Sequence, residues 1–193
     1  FDNKFKYSYK VNPTKLIDFF DDKISTGYIL GEFKNDSIAT DTYIFKTEKD
    51  DFSRTIKFTY KENLIDDVSI LPSYDLSKIT NVTRNMIDES IDPVTMFYMI
   101  TNYEFIKNCN KVINVYDGKR RYDLILSDPK KSEYGFSCKL THQKIAGYKP
   151  EKIKENKKYV SDLKFLINKN NSYDFNEVSL RNNNTDLIIR KNN

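Results

Sequence analysis

Tryptophan is absent from this chain of 193 residues, histidine occurs once, cysteine twice, and glycine and proline five times each. Each scarcity excludes something. A closed zinc site takes about four ligands, and of the sulfur and imidazole donors only His142 could join Cys109 and Cys138, so a structural zinc is not expected. The glycines form no phosphate-cradling loop, and no serine sits in a nucleophile elbow. No apolar run approaches the roughly 18 residues of a membrane-spanning helix. No internal repeat suggests a solenoid. No segment has the form of a signal peptide; the chain opens at Phe1, which fits a removed leader or a start inside a domain.

What is abundant is Tyr (14) and Phe (13), a load that favours strands. The length suits a single domain over residues 1–193 with a core of its own. Charge is unevenly spread behind the net +4. Residues 1–106 carry 13 basic against 18 acidic side chains, and residues 107–169 carry 16 against 7. Such a basic block suits an anionic partner, or an acidic half packed beside a basic half. The lysines alternate with acids and no aromatic–basic stacking motif appears, so nucleic acid is not the expected partner.

Alternation of apolar and polar residues predicts strands at Phe5–Val11, Tyr28–Phe33, Ser37–Thr47, Thr55–Tyr60, Asp67–Ile70, Lys111–Tyr116, Arg121–Ser127, Tyr134–Gln143, Ser161–Asn168, Phe175–Arg181 and Asp186–Arg190. Polar turns separate them, and Asp117-Gly118 is a two-residue hairpin signal. Two short helices are expected. One follows Asn12-Pro13-Thr14, with Leu16, Ile17, Phe19, Phe20 and Ile24 on its apolar face and Gly27 as its stop. The other opens at Asp92-Pro93, where Asp caps and Pro suits the first turn. Ser73–Asn85 reads as a loop and Lys149–Lys158 as a charged connector.

Candidate chemistry is sparse. Cys109 and Cys138 could be free thiols, a metal pair or a disulfide. Cys138 and His142 share a strand face but stand about 13 Å apart at strand rise, too far for a nucleophile–base pair. The run Asp117-Gly118-Lys119-Arg120-Arg121-Tyr122-Asp123 offers two guanidiniums to an anion. Its structural reading is a turn whose successive arginines point to opposite faces, one wet and one paired with a carboxylate such as Asp92 or Asp123. The acid pairs Asp21-Asp22, Asp50-Asp51 and Asp66-Asp67 all sit in polar turns. No catalytic constellation, cofactor motif or metal set emerges, and the expectation is a protein that is not an enzyme.

The order Asp92-Pro93 and helix, Cys109, Val115-Tyr116-Asp117-Gly118-Lys119-Arg120-Arg121-Tyr122-Asp123-Leu124, Cys138, then Ile145-Ala146-Gly147-Tyr148 resembles the "domain of unknown function 3108" family of Gram-negative bacteria. The similarity is specific over residues 88–150. Family members begin with a further strand pair ahead of the position of Phe1, which this chain would lack. The resemblance implies an exported, periplasmic protein, and in that compartment a Cys109–Cys138 bridge is favoured. It also implies a fold similar to lipoprotein carriers of the LolA/LolB type, which hold acyl chains in a half-barrel.

The combined expectation is an α+β fold: a single curved antiparallel sheet, half-barrel-like, with two short helices on its concave side. The expected function is non-enzymatic binding of an apolar or lipid-like ligand, such as a lipoprotein acyl chain, lined by Phe19, Phe20, Met96, Phe97 and Met99. The alternative is an envelope scaffold or interaction module, with another envelope protein as partner and no ligand. Asp92, Pro93, Asp117, Gly118, Arg120, Arg121, Tyr122, Gly147 and Tyr148 are expected to form the structural motif.

Overall fold

The computed structural model describes residues 4–11, 24–34, 37–49, 51–155, 159–167, 172–182 and 185–190. Eleven strands and four short helices are assigned among them. Strands β1 (Lys4–Val11), β2 (Ile24–Lys34), β3 (Ser37–Lys49), β4 (Phe52–Lys61) and β5 (Leu64–Leu71) form one antiparallel meander. Three helices follow: α1 (Arg84–Asp88), α2 (Pro93–Thr101) and α3 (Tyr103–Ile106). Strands β6 (Lys111–Tyr116), β7 (Arg121–Ser132), β8 (Gly135–Ala146), β9 (Tyr159–Ile167), β10 (Tyr173–Asn182) and β11 (Thr185–Arg190) form a second meander, with α4 (Pro150–Lys154) between β8 and β9.

The fold class is thus α+β on curved antiparallel sheet, and the six-stranded sheet curls as a half-barrel. The strands are divided between two sheets rather than continuous in one, because the helical segment 84–106 interrupts the run of hairpins between β5 and β6. Most of the expected helix after Asn12 falls outside the described residues, as do Phe19 and Phe20. Its expected last turn is corrected: Ile24 and Gly27 belong to β2, where they pair with Glu48 and Phe45 of β3. The hairpin ladder outweighs the helical spacing there.

Period-two alternation builds both cores. On β4, Ile56 and Phe58 are buried while Lys57 is exposed. On β8, Phe136, Cys138 and Leu140 point inward, and on β9 Ser161, Leu163 and Phe165 do so. The first core gathers Ile29, Tyr43, Ile56, Phe58, Ile65, Val94 and Tyr116. The second gathers Ile100, Ile106, Val115, Leu124, Leu126, Phe136, Leu140, Leu163 and Phe165 with both cysteines. Helix α2 belongs to both, giving Val94 to one and Ile100 to the other.

The tight hairpin lies elsewhere than expected. Glu62 and Asn63, both with positive φ, form a two-residue loop between β4 and β5, where Lys61 pairs with Leu64. At Asp117-Gly118, Tyr116 pairs with Arg121, so the connection is four residues long. The β6 edge is covered by Ile91, whose N–H donates to Asn114 O (2.9 Å) and whose carbonyl accepts from Tyr116 N (3.0 Å).

Candidate functional site

The motif residues scattered over 92–148 converge on the seam between the two sheets. Asp92 is fully buried, at 0% exposure, ahead of α2. Its Oδ1 accepts from Val94 N (2.8 Å) and Thr95 N (2.9 Å), filling two of the donors that a helix start leaves open. Its Oδ2 accepts from Thr95 Oγ1 (2.6 Å) and Tyr60 Oη (2.7 Å). Thr40 Oγ1 of β3 lies 3.0 Å from Thr95 Oγ1. One carboxylate therefore ties β3, β4 and α2 together. Burial pushes the Asp92 carboxyl up, against the four hydrogen bonds that favour its charged form. Burial, then the Asp92 charge, holds the Tyr60 phenol far above its usual range, so it remains a donor at any physiological pH. Nothing in the sequence singled out Tyr60 or Thr40 as partners, because both pairings cross more than thirty residues.

The turn 117–120 closes on itself and on a distant loop. Asp117 Oδ1 accepts from Lys119 N (2.8 Å) and Arg120 N (2.6 Å). Gly118 adopts φ 95°, and a Cβ there would crowd the Ile56 side chain. Gly147 adopts φ 79°, and a Cβ there would collide with the Lys119 carbonyl. Gly147 N donates to Thr80 O (3.1 Å), and Thr80 N donates to Tyr148 O (2.8 Å). The Asp-Gly turn and the Ala-Gly-Tyr segment are thus two sides of one packed corner.

The two arginines differ in burial, Arg121 opening β7 and Arg120 closing the turn before it. Arg121 is buried, its side chain 6% exposed, and pairs with Asp123 while also donating to Tyr122 O (2.8 Å). Arg120 is half-buried. With it comes a row of cations and rings: Arg54 lies 3.8 Å from the Tyr74 ring centroid and Lys119 5.1 Å, while Arg120 and Lys144 each lie 5.7 Å from that of Tyr148. His142 stands nearby, its ring 4.8 Å from that of Tyr122. Burial, then the charges of Lys144 and Arg120, push its pKa down to about 4.

Cys109 and Cys138 form a disulfide, with α-carbons 5.6 Å apart. The bridge joins the segment after α3 to the middle of β8 and removes Cys138 as a candidate nucleophile. Among the described residues, no group of three or more His, Cys, Asp or Glu is placed to hold a metal ion. No described helix is long and apolar enough to cross a membrane.

Of the candidate ligand-lining residues, Met96 and Phe97 are half-buried and pack against the second core, Phe97 meeting Phe175 edge-on at 6.5 Å. Met99 is half-buried. Tyr103 stacks on Tyr173 at 4.2 Å and meets Phe136 edge-on at 5.2 Å, so aromatic side chains fill the sheet side of α3. A separate cleft of about 230 Å³ opens where the β7–β8 register shifts between Ser127 and Lys130. It is lined by Asp128, Lys130, Ser137, Cys138, Lys139, Asp162 and Lys164, a largely charged set unlike the apolar lining expected around α2. No family model, no curated protein and no solved structure matches the chain.

Proposed function

We propose that this chain is an exported, periplasmic, non-enzymatic binding protein that takes an apolar, lipid-like ligand against α2. The observation that carries the reading is the surface of that helix. Met96, Phe97, Tyr98 and Met99 are four consecutive large apolar side chains, all only half covered, on a helix that also buries Val94 and Ile100. A helix apolar all round demands cover on every side, and a ligand would complete it. Methionines adapt to irregular apolar partners. The disulfide suits an oxidising compartment, as does the resemblance to an exported family. Titration with an environment-sensitive fatty-acid probe tests the reading. Saturable binding, displaced by palmitate and weakened by Met99→Asp, supports it; absence of a saturable signal rejects it. Met99 is the position to change because it belongs to neither packed core, whereas Phe97 does.

The second reading is an envelope scaffold or interaction module without a ligand. It is favoured by a row of β-branched side chains on the outer face of the six-stranded sheet, where Val112, Ile125, Thr141 and Val160 lie side by side across four strands. Val112 is 59% and Val160 43% exposed. Native mass spectrometry of protein from its own host separates the two readings. A co-purifying lipid supports the first, and a bound protein with no lipid supports the second.

A further inference from the structure

Two of the most exposed apolar side chains, one at the end of β5 and one in the loop that follows, lie beside the cation–ring row. Leu71, 70% exposed, and Leu76, 55% exposed, flank Tyr74 in sequence. The loop is held to the sheet by Arg54, whose Nε donates to Pro72 O (2.8 Å) and whose Nη2 donates to Ser73 O (3.3 Å). Its far end is held by Thr80 against Gly147 and Tyr148. Arg54 and Lys119 both face the Tyr74 ring, so the loop and the 117–120 turn share one surface. Arg54, Lys119, Arg120 and Lys144 converge there from three separate chain segments, and Lys78 lies on the loop itself. The facing acids are Asp75 and Asp117. Asp117 is engaged by its own turn and Asp75 by Ser77 N (2.9 Å). Five cations thus stand against two carboxylates there, and the surface is net positive.

We infer that this surface docks on an anionic lipid bilayer, with Leu71 and Leu76 entering the headgroup boundary and Arg54, Lys119, Arg120 and Lys144 facing lipid phosphates. Anionic phosphates complement the charge excess. An acidic protein or a nucleic acid would do so too, but either would leave two leucines in water. A bilayer interface takes all three residue types at their own depths: leucine at the acyl boundary, tyrosine at the headgroups, and cations at the phosphates. The inference stands whether or not α2 takes a ligand.

Co-sedimentation of the full chain with vesicles tests it, using equimolar phosphatidylcholine and phosphatidylglycerol against pure phosphatidylcholine at low salt. Binding is expected to the anionic vesicles only, and high salt is expected to release it. Each basic side chain is worth about fivefold in binding, so K119Q/R120Q is expected to weaken it by about 25-fold. Leu76→Ser, at an exposed site that the fold does not need, is expected to weaken it several-fold without changing its salt dependence. Equal binding to both vesicle types, no binding, or binding unchanged by both variants overturns the inference. So does release of the protein from vesicles by millimolar inorganic phosphate, polyglutamate or an oligonucleotide at matched ionic strength, since each assigns the cations to another partner.

Discussion

Arg121 and Asp123 stand two residues apart on the same face of β7, and the guanidinium of one donates to the carboxylate of the other under cover of the fold, with side chains 6% and 19% exposed. Its neighbour Arg120 is half-buried and lies over the Tyr148 ring. Removing one partner of a buried pair leaves an uncompensated charge, at a cost of about 3–5 kcal/mol, whereas a cation still reached by solvent is worth at most about 1 kcal/mol. Arg121→Ala is therefore expected to be severe and Arg120→Ala mild. Urea unfolding at matched slope measures both. Equal, small losses would mean that neither guanidinium depends on burial.

The disulfide gives a second expectation. It closes a loop of 29 residues in sequence, which in the chain-entropy picture contributes about 3–4 kcal/mol. The C109S/C138S variant is expected to lose that much relative to the oxidised protein. Denatured, unreduced protein should show no free thiol on titration, and two thiols would contradict the bridge.

His142 is the chain's one histidine, so a proton spectrum follows it without assignment. Its midpoint is expected near 4 rather than 6.5, because burial and then the Lys144 and Arg120 charges disfavour the cation. Between those two pH values the unfolded chain binds a proton that the folded chain refuses. Stability should therefore fall as pH drops through that window and be unaffected above it. His142→Gln should flatten the slope, and K144Q should move the midpoint upward. A midpoint at 6.5 would mean the ring is solvated.

Gly147 is expected to be intolerant of any side chain. At φ 79° it sits where other residues are strained, and a Cβ would strike the Lys119 carbonyl. Gly147→Ala should cost more than the about 1 kcal/mol of a simple backbone penalty, because the 117–120 turn must also shift. Thermal unfolding measures it, and a loss below that value would show that the corner yields easily.

Strand identity was legible because alternation is a property of neighbouring residues. The Ile56–Tyr60 pattern needs no knowledge of partners, and the described strands extend the expected ones by only a few residues. The Asp92-Pro93 helix start was legible for the same reason, since its cap bonds reach only Val94 and Thr95. That one of the two arginines would be buried beside a carboxylate was expected, but strand parity is not the reason, since Arg120 lies in the turn before β7. Tertiary structure alone decided the rest: that the strands divide into two sheets, that Gly27 lies within β2, that Tyr60 reaches Asp92, and that Arg54, Tyr74 and Thr80 meet the turn and the Gly147 corner. Each of these depends on which distant segments come together. Chain order does not encode that in any local pattern; the burial of two apolar faces against the shared helix α2 selects it.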